Sequence, residues 1–297
     1  MKKIFSLIII SHSISTLVCA QNTSLETQLS HAIKEIKATI GIAIIIDGKD
    51  TVTVNNNVRY PLMSVVKFHQ ALALADYIER QKQPLETMLP IKKTDLKQDT
   101  YSPLREKYPR GDFEISIADL LRYTLQQSDN NACDILFQYQ GGTKAVNDYI
   151  HLLGVSDCNI NVTESSMHQD LNRCYQNWSS PLAAAMLLDI FLREPLFSNE
   201  YKEFIYQTML QCETGQDRLA APLLNKRIKI GHKTGTGPYN SQGQQIACND
   251  IGFVLLSNNH SYSIAVFVKD SEEDISTNSK IIAEISSIVY EYVITLD

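Results

Sequence analysis

The placement of the strand-like segments constrains the fold more than any other feature of this sequence. Five segments rich in β-branched and aromatic residues, two near the N-terminus and three near the C-terminus, are typical of β-strands: 39–46, 51–55, 228–232, 251–257 and 262–269. Between the two groups, from about residue 65 to residue 205, apolar residues mostly recur at helical spacing. We therefore predict one antiparallel sheet assembled from both chain ends, with an all-helical insertion between them.

The length and the absence of linkers indicate one domain with two lobes. A chain of 297 residues is long enough for one large buried core, and no internal repeat or Gly/Ser/Pro-rich linker divides it. We predict an α/β lobe, in the broader sense α+β, from residues 21–60 and 206–297, and a helical lobe from residues 61–205. The five-stranded sheet would be flanked by helices, and a site is expected in the cleft between the lobes.

The first twenty residues have the pattern of a signal peptide. Two lysines precede an apolar run at residues 4–10, and the segment closes with Val18-Cys19-Ala20. The run is too short to span a bilayer. Cys19 also permits a lipoprotein, but Val18 is bulkier than the residue that usually precedes a lipidated cysteine. We therefore predict cleavage after Ala20 and a periplasmic or secreted protein that is not held in a membrane.

The composition is that of an ordinary folded protein. Hydrophobic residues make up 44% and charged residues 20%, with 12 glycines and 9 prolines, which excludes disordered and collagen-like chains. The formal net charge is -6 and no long basic run is present. Nucleic acid and anionic membrane surfaces are therefore not expected as partners.

The cysteines do not form a metal-binding pattern. None lies in a C-x-x-C sequence or in a Cys/His cluster with zinc spacing, so no metal is predicted. An odd number follows the predicted cleavage site, which leaves at least one free thiol: Cys133, Cys158, Cys174, Cys212 and Cys248. We interpret them mainly as small buried hydrophobic residues.

A lysine one turn inside a long apolar segment is the first indication of chemistry. The stretch PLMSVVKFHQ, residues 61–70, contains Ser64 and Lys67, the one S-x-x-K pair of the chain. Residues three apart share a helix face, so the ammonium can reach the hydroxyl. A helix N-terminus also favours negative charge developing on the serine oxygen. Alone the pair is weak evidence, because most lysines are solvated at the surface.

Two further tripeptides strengthen this interpretation. Ser128-Asp129-Asn130 precedes a helical pattern, where a simple helix cap is the ordinary explanation. The tripeptide KTG, residues 233–235, ends the predicted strand 228–232, where an ordinary turn is the alternative. Each has an unremarkable explanation alone, but the three motifs in this order are hard to obtain by accident.

The set resembles the active-site serine penicillin-recognising enzymes, in which S-x-x-K, S-D-N and K-T-G occur together. The likeness covers essentially the whole chain after residue 20. It includes the stretch YSP, residues 101–103, which is similar to the cleft wall of class A β-lactamases.

A fourth element separates the lactamases from the transpeptidases. Class A enzymes carry a glutamate in an omega loop and an asparagine four residues later. Here the stretch TESSMH, residues 163–168, offers Glu164, with His168 in the asparagine place. This departure resembles the extended-spectrum PER branch of class A, and so does the stretch YQNWSS, residues 175–180. His168 is either a satisfied loop histidine or a polar group that helps to hold Glu164 and its water.

The resemblance leaves the anchoring of the omega loop open. Val162 and Asn177 stand where other class A enzymes carry an Arg–Asp ion pair, so that pair is missing here. The stretch TGQDRL, residues 214–219, is similar to one in which some class A enzymes place an arginine near the substrate carboxylate. Arg218 is therefore a candidate carboxylate ligand, with an ordinary surface arginine as the alternative.

The resemblance implies the hydrolysis of penicillins, and especially cephalosporins, through an acyl-enzyme on Ser64. It implies catalytic roles for Ser64, Lys67, Ser128, Glu164 and Lys233. Substrate-binding roles fall to Tyr101, Asn130, His168, Arg218, Thr234, Gly235 and Thr236. The base that acts in acylation, Lys67 or Glu164 through a water, stays open.

The predicted partner is a small β-lactam, with no metal or organic cofactor and a monomeric enzyme. Two alternatives share the three motifs: a penicillin-binding D,D-peptidase and a non-hydrolysing penicillin sensor domain. Glu164 and the predicted signal cleavage argue against both.

Overall fold

A computed structural model describes residues 24–226, 228–257 and 260–296. The signal peptide predicted for residues 1–20 lies outside the described residues. The strands of the described part are β1 Thr39–Ile46, β2 Asp50–Val54, β3 Tyr60–Pro61, β4 Met88–Ile91, β5 Phe113–Ser116, β6 Cys158–Asn159, β7 Trp178–Ser179, β8 Lys229–Thr236, β9 Gln245–Leu255 and β10 Ser261–Ser271. Its α-helices are α1 Leu25–Ala32, α2 Val66–Arg80, α3 Pro103–Lys107, α4 Ile117–Leu125, α5 Asn130–Tyr139, α6 Thr143–Leu152, α7 Glu164–Gln169, α8 Pro181–Arg193, α9 Asn199–Leu210 and α10 Ile275–Val293.

The central element is an antiparallel sheet of five strands in the order β2-β1-β10-β9-β8. The prediction of a five-stranded sheet built from both chain ends is confirmed. Two short sheets accompany it, β3-β7-β6 and β4-β5.

The sheet is buried on both faces. Because side chains alternate along a strand, Ile42 and Ile44 of β1 pack with α1 and α10 on one face. Ala43 and Ile45 join the core on the other face, which contains α2 and α8. This explains why β1 is a continuous apolar run: its residues from Ile40 to Ile46 are all buried.

Two strand boundaries differ from the sequence-based prediction by more than two residues, the end of β8 and the start of β9. The tripeptide KTG lies inside β8, paired with β9, and does not form a turn after a strand that ends at His232. The strand β9 begins at Gln245, six residues before the predicted start, because its polar residues Asn249 and Asp250 are buried and paired. Local hydrophobicity does not reveal such residues, since hydrogen bonds to distant segments satisfy them.

The helix α2 forms the axis of the helical part and carries the S-x-x-K lysine. Eleven of its 15 residues are buried, including Lys67, His69 and Gln70. It ends where Lys82 adopts a left-handed φ of 54° and the Gln83 N–H donates to the Ile78 carbonyl, a Schellman-type termination. The helical part thus places a largely buried helix directly behind Ser64.

Two further properties of the described residues bear on the sequence-based expectations. All five described cysteines are buried and free, which confirms their interpretation as buried residues. Among the described helices, none combines the length and the apolarity needed to cross a lipid bilayer.

His69 makes the stability of the fold sensitive to acid. Its side chain is fully buried; burial lowers the pKa to about 4, although a contact with the Val65 carbonyl raises it. Between the ordinary histidine pKa and about 4, the unfolded chain binds a proton that the folded chain does not. The free energy of unfolding therefore falls by about 3 kcal/mol as the pH drops through this window.

We predict that His69→Gln removes this part of the acid sensitivity. Urea unfolding at about pH 7 and about pH 4.5 should show a smaller loss of stability in the variant than in the wild type. The other titrating groups cancel in this difference. Parallel pH dependences of the two proteins would contradict the prediction.

Candidate active site

The serine of the S-x-x-K pair lies in a turn that neighbouring residues hold in place. Ser64 sits in a 3₁₀ turn, Met63–Val65, directly before α2, and Met63 has a left-handed φ of 46°. This conformation is uncommon for a residue with a side chain and is kept only where its surroundings hold it. Asn249 of β9 supplies one such restraint, since its Nδ2 donates to the Pro61 carbonyl at 2.7 Å.

Lys67 is fully buried and surrounded by oxygen acceptors. Its Nζ lies 2.8 Å from Ser64 Oγ, 2.6 Å from Asn130 Oδ1 and 2.8 Å from the Ser128 carbonyl. It also forms an ion pair of 2.8 Å with Glu164 Oε1. A buried ammonium needs such partners, because an unpaired charge in the interior is very costly. The structure thus brings the first two motifs and the omega-loop glutamate together at one nitrogen.

The S-D-N segment is held by its middle residue. Asp129 caps α5 by accepting the Ala132 N–H at 2.8 Å, and it also accepts the Leu104 N–H at 2.7 Å. The helix-cap interpretation of this segment is therefore correct as well. With Asp129 buried, its two neighbours, Ser128 and Asn130, point their side chains towards Lys67.

Lys233 completes the polar cluster from the sheet side. Its fully buried Nζ donates to Ser128 Oγ at 2.9 Å and to the Thr234 carbonyl at 2.9 Å. Burial, together with the positive charge of Lys67, lowers the pKa of Lys233 to about 8.

Gly235 allows the strand to approach the serine turn. A Cβ atom at this position would lie 2.5 Å from the Leu62 carbonyl oxygen, a distance no side chain could accept. The missing side chain lets β8 pack against the residues that precede Ser64, which places the exposed Thr236 beside the serine.

Glu164 begins the short helix α7 and faces the serine. Its Oε1 lies 3.2 Å from Ser64 Oγ, and the side chain is almost completely buried. The two carboxylate oxygens of Asp134 accept the N–H groups of Glu164 and Ser165 at 2.8 and 2.9 Å. Burial and the charge of Glu164 raise the pKa of Asp134 to about 6.

The sequence reasoning missed Asp134. A signal was available, since Asp134 follows Asn130 by four residues on α5 and therefore lies on the same helix face.

An amide replaces the missing ion pair of the omega loop. Asn177 is fully buried; its Oδ1 accepts the N–H groups of Asn161 and Val162 at 2.7 and 2.9 Å, and its Nδ2 donates to the Val162 carbonyl at 2.8 Å. Its own carbonyl accepts the N–H of Leu62, two residues before the serine. The loop is thus anchored through its backbone to the serine turn.

Three other predicted residues lie further from the serine. Tyr101 is 56% exposed on the cleft wall. The His168 ring is half exposed, and its Nε2 lies 3.9 Å from Asp99 Oδ2, while no hydrogen bond within the described residues joins it to Glu164. Arg218 is almost completely buried behind β8, where it donates to Thr236 Oγ1 at 2.7 Å and to the Asn249 carbonyl at 2.9 Å.

Two adjoining cavities of about 240 and 250 Å³ open on this cluster and share Ser64, Asn130 and Thr236. One extends along the omega loop past Glu164 and His168, and the other extends towards Tyr101. A larger cavity of about 640 Å³ lies between α8 and α9 and contains none of the motif residues. The chemistry-bearing side chains therefore select the smaller pair as the candidate site.

Comparison with known proteins identifies the family. The model of the β-lactamase enzyme family matches residues 24–293. A β-lactamase of Bacteroides uniformis is 44% identical, with 94% of both chains covered. The crystal structure of a class A β-lactamase from Bacteroides cellulosilyticus superposes with a TM-score of 0.87 at 42% identity, covering 91% of this chain and 96% of that chain. The chain belongs to the class A β-lactamases.

The predicted likeness to the PER branch is confirmed by similarity to the extended-spectrum β-lactamase PER-1 of Pseudomonas aeruginosa. The two sequences are 32% identical, over 92% of this chain and 88% of that protein. The reaction of this β-lactamase is the hydrolysis of a β-lactam ring, a cyclic amide.

We predict that Asn177→Ala loosens the omega loop of this β-lactamase. The change leaves buried backbone groups of residues 161 and 162 without partners, which should lower the free energy of unfolding by about 3 kcal/mol. Asn159→Ala is the matched control, because that amide makes one hydrogen bond, to the Gln176 carbonyl, near the surface. It should cost less than about 1 kcal/mol. Equal losses for the two variants in urea unfolding would contradict this assignment.

Proposed function

We propose that this β-lactamase works through an acyl-enzyme on Ser64 that a water activated by Glu164 hydrolyses. The observation that carries the proposal is the position of Glu164 Oε1, 3.2 Å from Ser64 Oγ and 2.8 Å from Lys67 Nζ. A carboxylate so close to the nucleophile can hold a water against the ester that forms there. A D,D-peptidase or a penicillin sensor, the two alternatives, has no need of such a group.

In the acylation step Ser64 Oγ attacks the lactam carbonyl and gives up its proton. Glu164 and Lys67 both lie within hydrogen-bond distance of that oxygen, so either could take its proton; Lys67, an ammonium paired with Glu164, would first have to give a proton to that carboxylate. The backbone N–H groups of Ser64 and Thr236 would form the oxyanion hole, worth about 3–4 kcal/mol per donor. The close packing of Gly235 on the serine turn supports this pairing.

Ser128 would pass a proton to the departing lactam nitrogen. Its hydroxyl lies 2.9 Å from Lys233 Nζ and 3.3 Å from Lys67 Nζ, so a proton given to the substrate can be replaced from either side. Asn130 would contact the amide of the substrate side chain while it holds Lys67. No step of this scheme calls for a metal or an organic cofactor.

The substrate carboxylate would bind at the end of β8. Lys233, Thr234 and Thr236 offer a cation and two hydroxyl groups there. The guanidinium of Arg218 lies behind the Thr236 hydroxyl, to which it donates a hydrogen bond, and that hydroxyl separates it from the cleft. Arg218 would therefore act by adding positive charge and by orienting Thr236.

The omega loop and Thr236 support cephalosporins, including bulky oxyimino compounds, as good substrates. Met63 stands before the serine, where class A carbapenemases usually carry a disulfide-bonded cysteine, so strong carbapenem hydrolysis is not expected. Values of kcat/KM for benzylpenicillin, a first-generation cephalosporin, ceftazidime and imipenem test this prediction of good cephalosporin and weak carbapenem hydrolysis.

We further propose that residues 21–297 act as one monomeric catalytic domain in the periplasm after signal cleavage.

We predict that Glu164→Ala traps the acyl-enzyme. Turnover should fall by about 10²- to 10⁴-fold, the contribution of a positioned general base. Intact-protein mass spectrometry should then show one bound β-lactam, where the wild type shows none at steady state. Asp170→Ala, which removes an exposed carboxylate of the same loop, is the control and should turn over normally.

Two results would overturn the proposal. Normal hydrolysis by Glu164→Ala would remove the glutamate from the mechanism. A single stoichiometric burst of a chromogenic cephalosporin with the wild type would instead favour the sensor or the peptidase.

The lowered pKa of Lys233 predicts an alkaline limit of activity. Below about pH 8 the side chain carries the charge that the substrate carboxylate needs, and above it the charge is lost. The ratio kcat/KM should therefore fall by about tenfold per pH unit on the alkaline side. In Lys233→Arg the remaining activity should persist to higher pH, since arginine stays protonated. An unchanged alkaline limit in that variant would assign it to another group.

A further inference from the structure

One residue of the central sheet is joined to both segments that would form the oxyanion hole. Asn249 lies on β9 directly opposite Gly235 of β8. Residues opposite each other in an antiparallel pair point to the same face of the sheet, and here that face meets the turn before Ser64. Because Gly235 has no side chain, the amide of Asn249 can reach across to this turn.

The side chain of Asn249 donates to the backbone of the serine turn. It is fully buried, and its Nδ2 lies 2.7 Å from the Pro61 carbonyl oxygen and 3.3 Å from the Leu62 carbonyl oxygen. Its Oδ1 has no hydrogen-bond partner within the described residues. The amide therefore serves the turn as a donor and not as an acceptor.

These contacts restrain the peptide units that lead into Ser64. The residue between Leu62 and Ser64 is Met63, with its left-handed φ of 46°. Such a conformation costs energy for a residue with a side chain and persists only under restraint. The Ser64 N–H belongs to the peptide unit that follows Met63, so its direction changes if the restraint is lost. Since N–H groups at a helix start have no partner within the helix, this one is available to a ligand.

The backbone of Asn249 is joined to the other half of the proposed oxyanion hole. Its carbonyl accepts Arg218 Nη1 at 2.9 Å, and the same guanidinium donates to Thr236 Oγ1 at 2.7 Å. Thr236 also pairs with Cys248, the residue next to Asn249. One residue thus relates the strand that carries the Thr236 N–H to the turn that carries the Ser64 N–H.

We propose that Asn249 is a positioning residue of the β-lactamase reaction, whose amide aims the Ser64 N–H at the oxyanion by holding the Pro61 and Leu62 carbonyls. Because its side chain is completely buried, it acts through the geometry of another group and not by contact with substrate. The inference rests on the oxyanion hole proposed above. An oxyanion forms when the serine attacks the lactam and again when water attacks the ester, so both steps depend on this geometry.

The first test separates transition-state geometry from substrate binding. In Asn249→Ala, kcat and kcat/KM for a cephalosporin should both fall by about 10- to 100-fold, a part of the roughly 10²- to 10³-fold that the loss of an oxyanion donor costs. KM should stay nearly unchanged, since the interaction is made in the transition state. Asn249→Leu keeps a similar side-chain shape without the donor and should show the same fall. It carries the test if the alanine variant does not fold.

Asn278→Ala is the matched control. The Asn278 side chain is also fully buried, but it bonds to Ser271, Gln245 and Glu273 and not to the serine turn. The variant should lose a comparable free energy of unfolding in urea and keep its kcat. An equal loss of kcat in Asn278→Ala would overturn the proposal, and so would a wild-type kcat in the Asn249 variants or a rise in KM at unchanged kcat.

The second test observes the oxyanion hole spectroscopically. In Glu164→Ala the acyl-enzyme should persist long enough for infrared difference spectroscopy of its ester carbonyl. Two N–H donors weaken that C=O bond and lower its stretching frequency. Adding Asn249→Ala should therefore move the band to higher wavenumber, whereas adding Asn278→Ala should leave it in place. A band that does not move in the Asn249 double variant would contradict the proposal.

The two tests distinguish this inference from the proposed function. If Glu164→Ala traps no acyl-enzyme, the proposed role of Glu164 is rejected. The kinetic comparison does not need the trapped ester, so it still decides the role of Asn249. If the ester is trapped and its band does not respond to Asn249→Ala, this inference fails alone.

Discussion

The structure of the site depends on the desolvation of one ammonium group. Lys67 is fully buried, and its charge is tolerated only because oxygen acceptors surround it. These acceptors come from the serine turn, the S-D-N segment and the omega loop. The requirement to satisfy a single buried cation therefore positions Ser64, Ser128 and Glu164 relative to one another.

Small polar side chains hold the segments that supply these acceptors. Asp129 fixes the S-D-N segment, Asp134 fixes the start of α7, Asn177 fixes the omega loop and Asn249 fixes the chain before Ser64. Each is at most partly exposed and bonds mainly to backbone groups. Short side chains have few rotatable bonds, so their hydrogen bonds to backbone groups restrain the segments they hold at a low entropy cost.

The fold was largely predictable because its periodicities are local. The strand β1 has the predicted bounds, since a continuous run of isoleucines buried on both faces is visible in the sequence. The boundaries failed where polar residues are buried, at the start of β9 and at the K-T-G tripeptide of β8. There the hydrogen-bonding partner is distant in the chain, so the local pattern of hydrophobic residues does not indicate it.

The sequence by itself determined which chemical groups the protein can use: a serine and a lysine one turn apart, a second serine, a second lysine and a glutamate in the right order. Only the tertiary structure decided how those groups are arranged. It placed Glu164 within 3.2 Å of Ser64 and put Arg218 behind Thr236. The physical reason is that distances and desolvation between segments as many as 188 residues apart are set by packing, whereas sequence spacing determines geometry only within a helix turn or a strand.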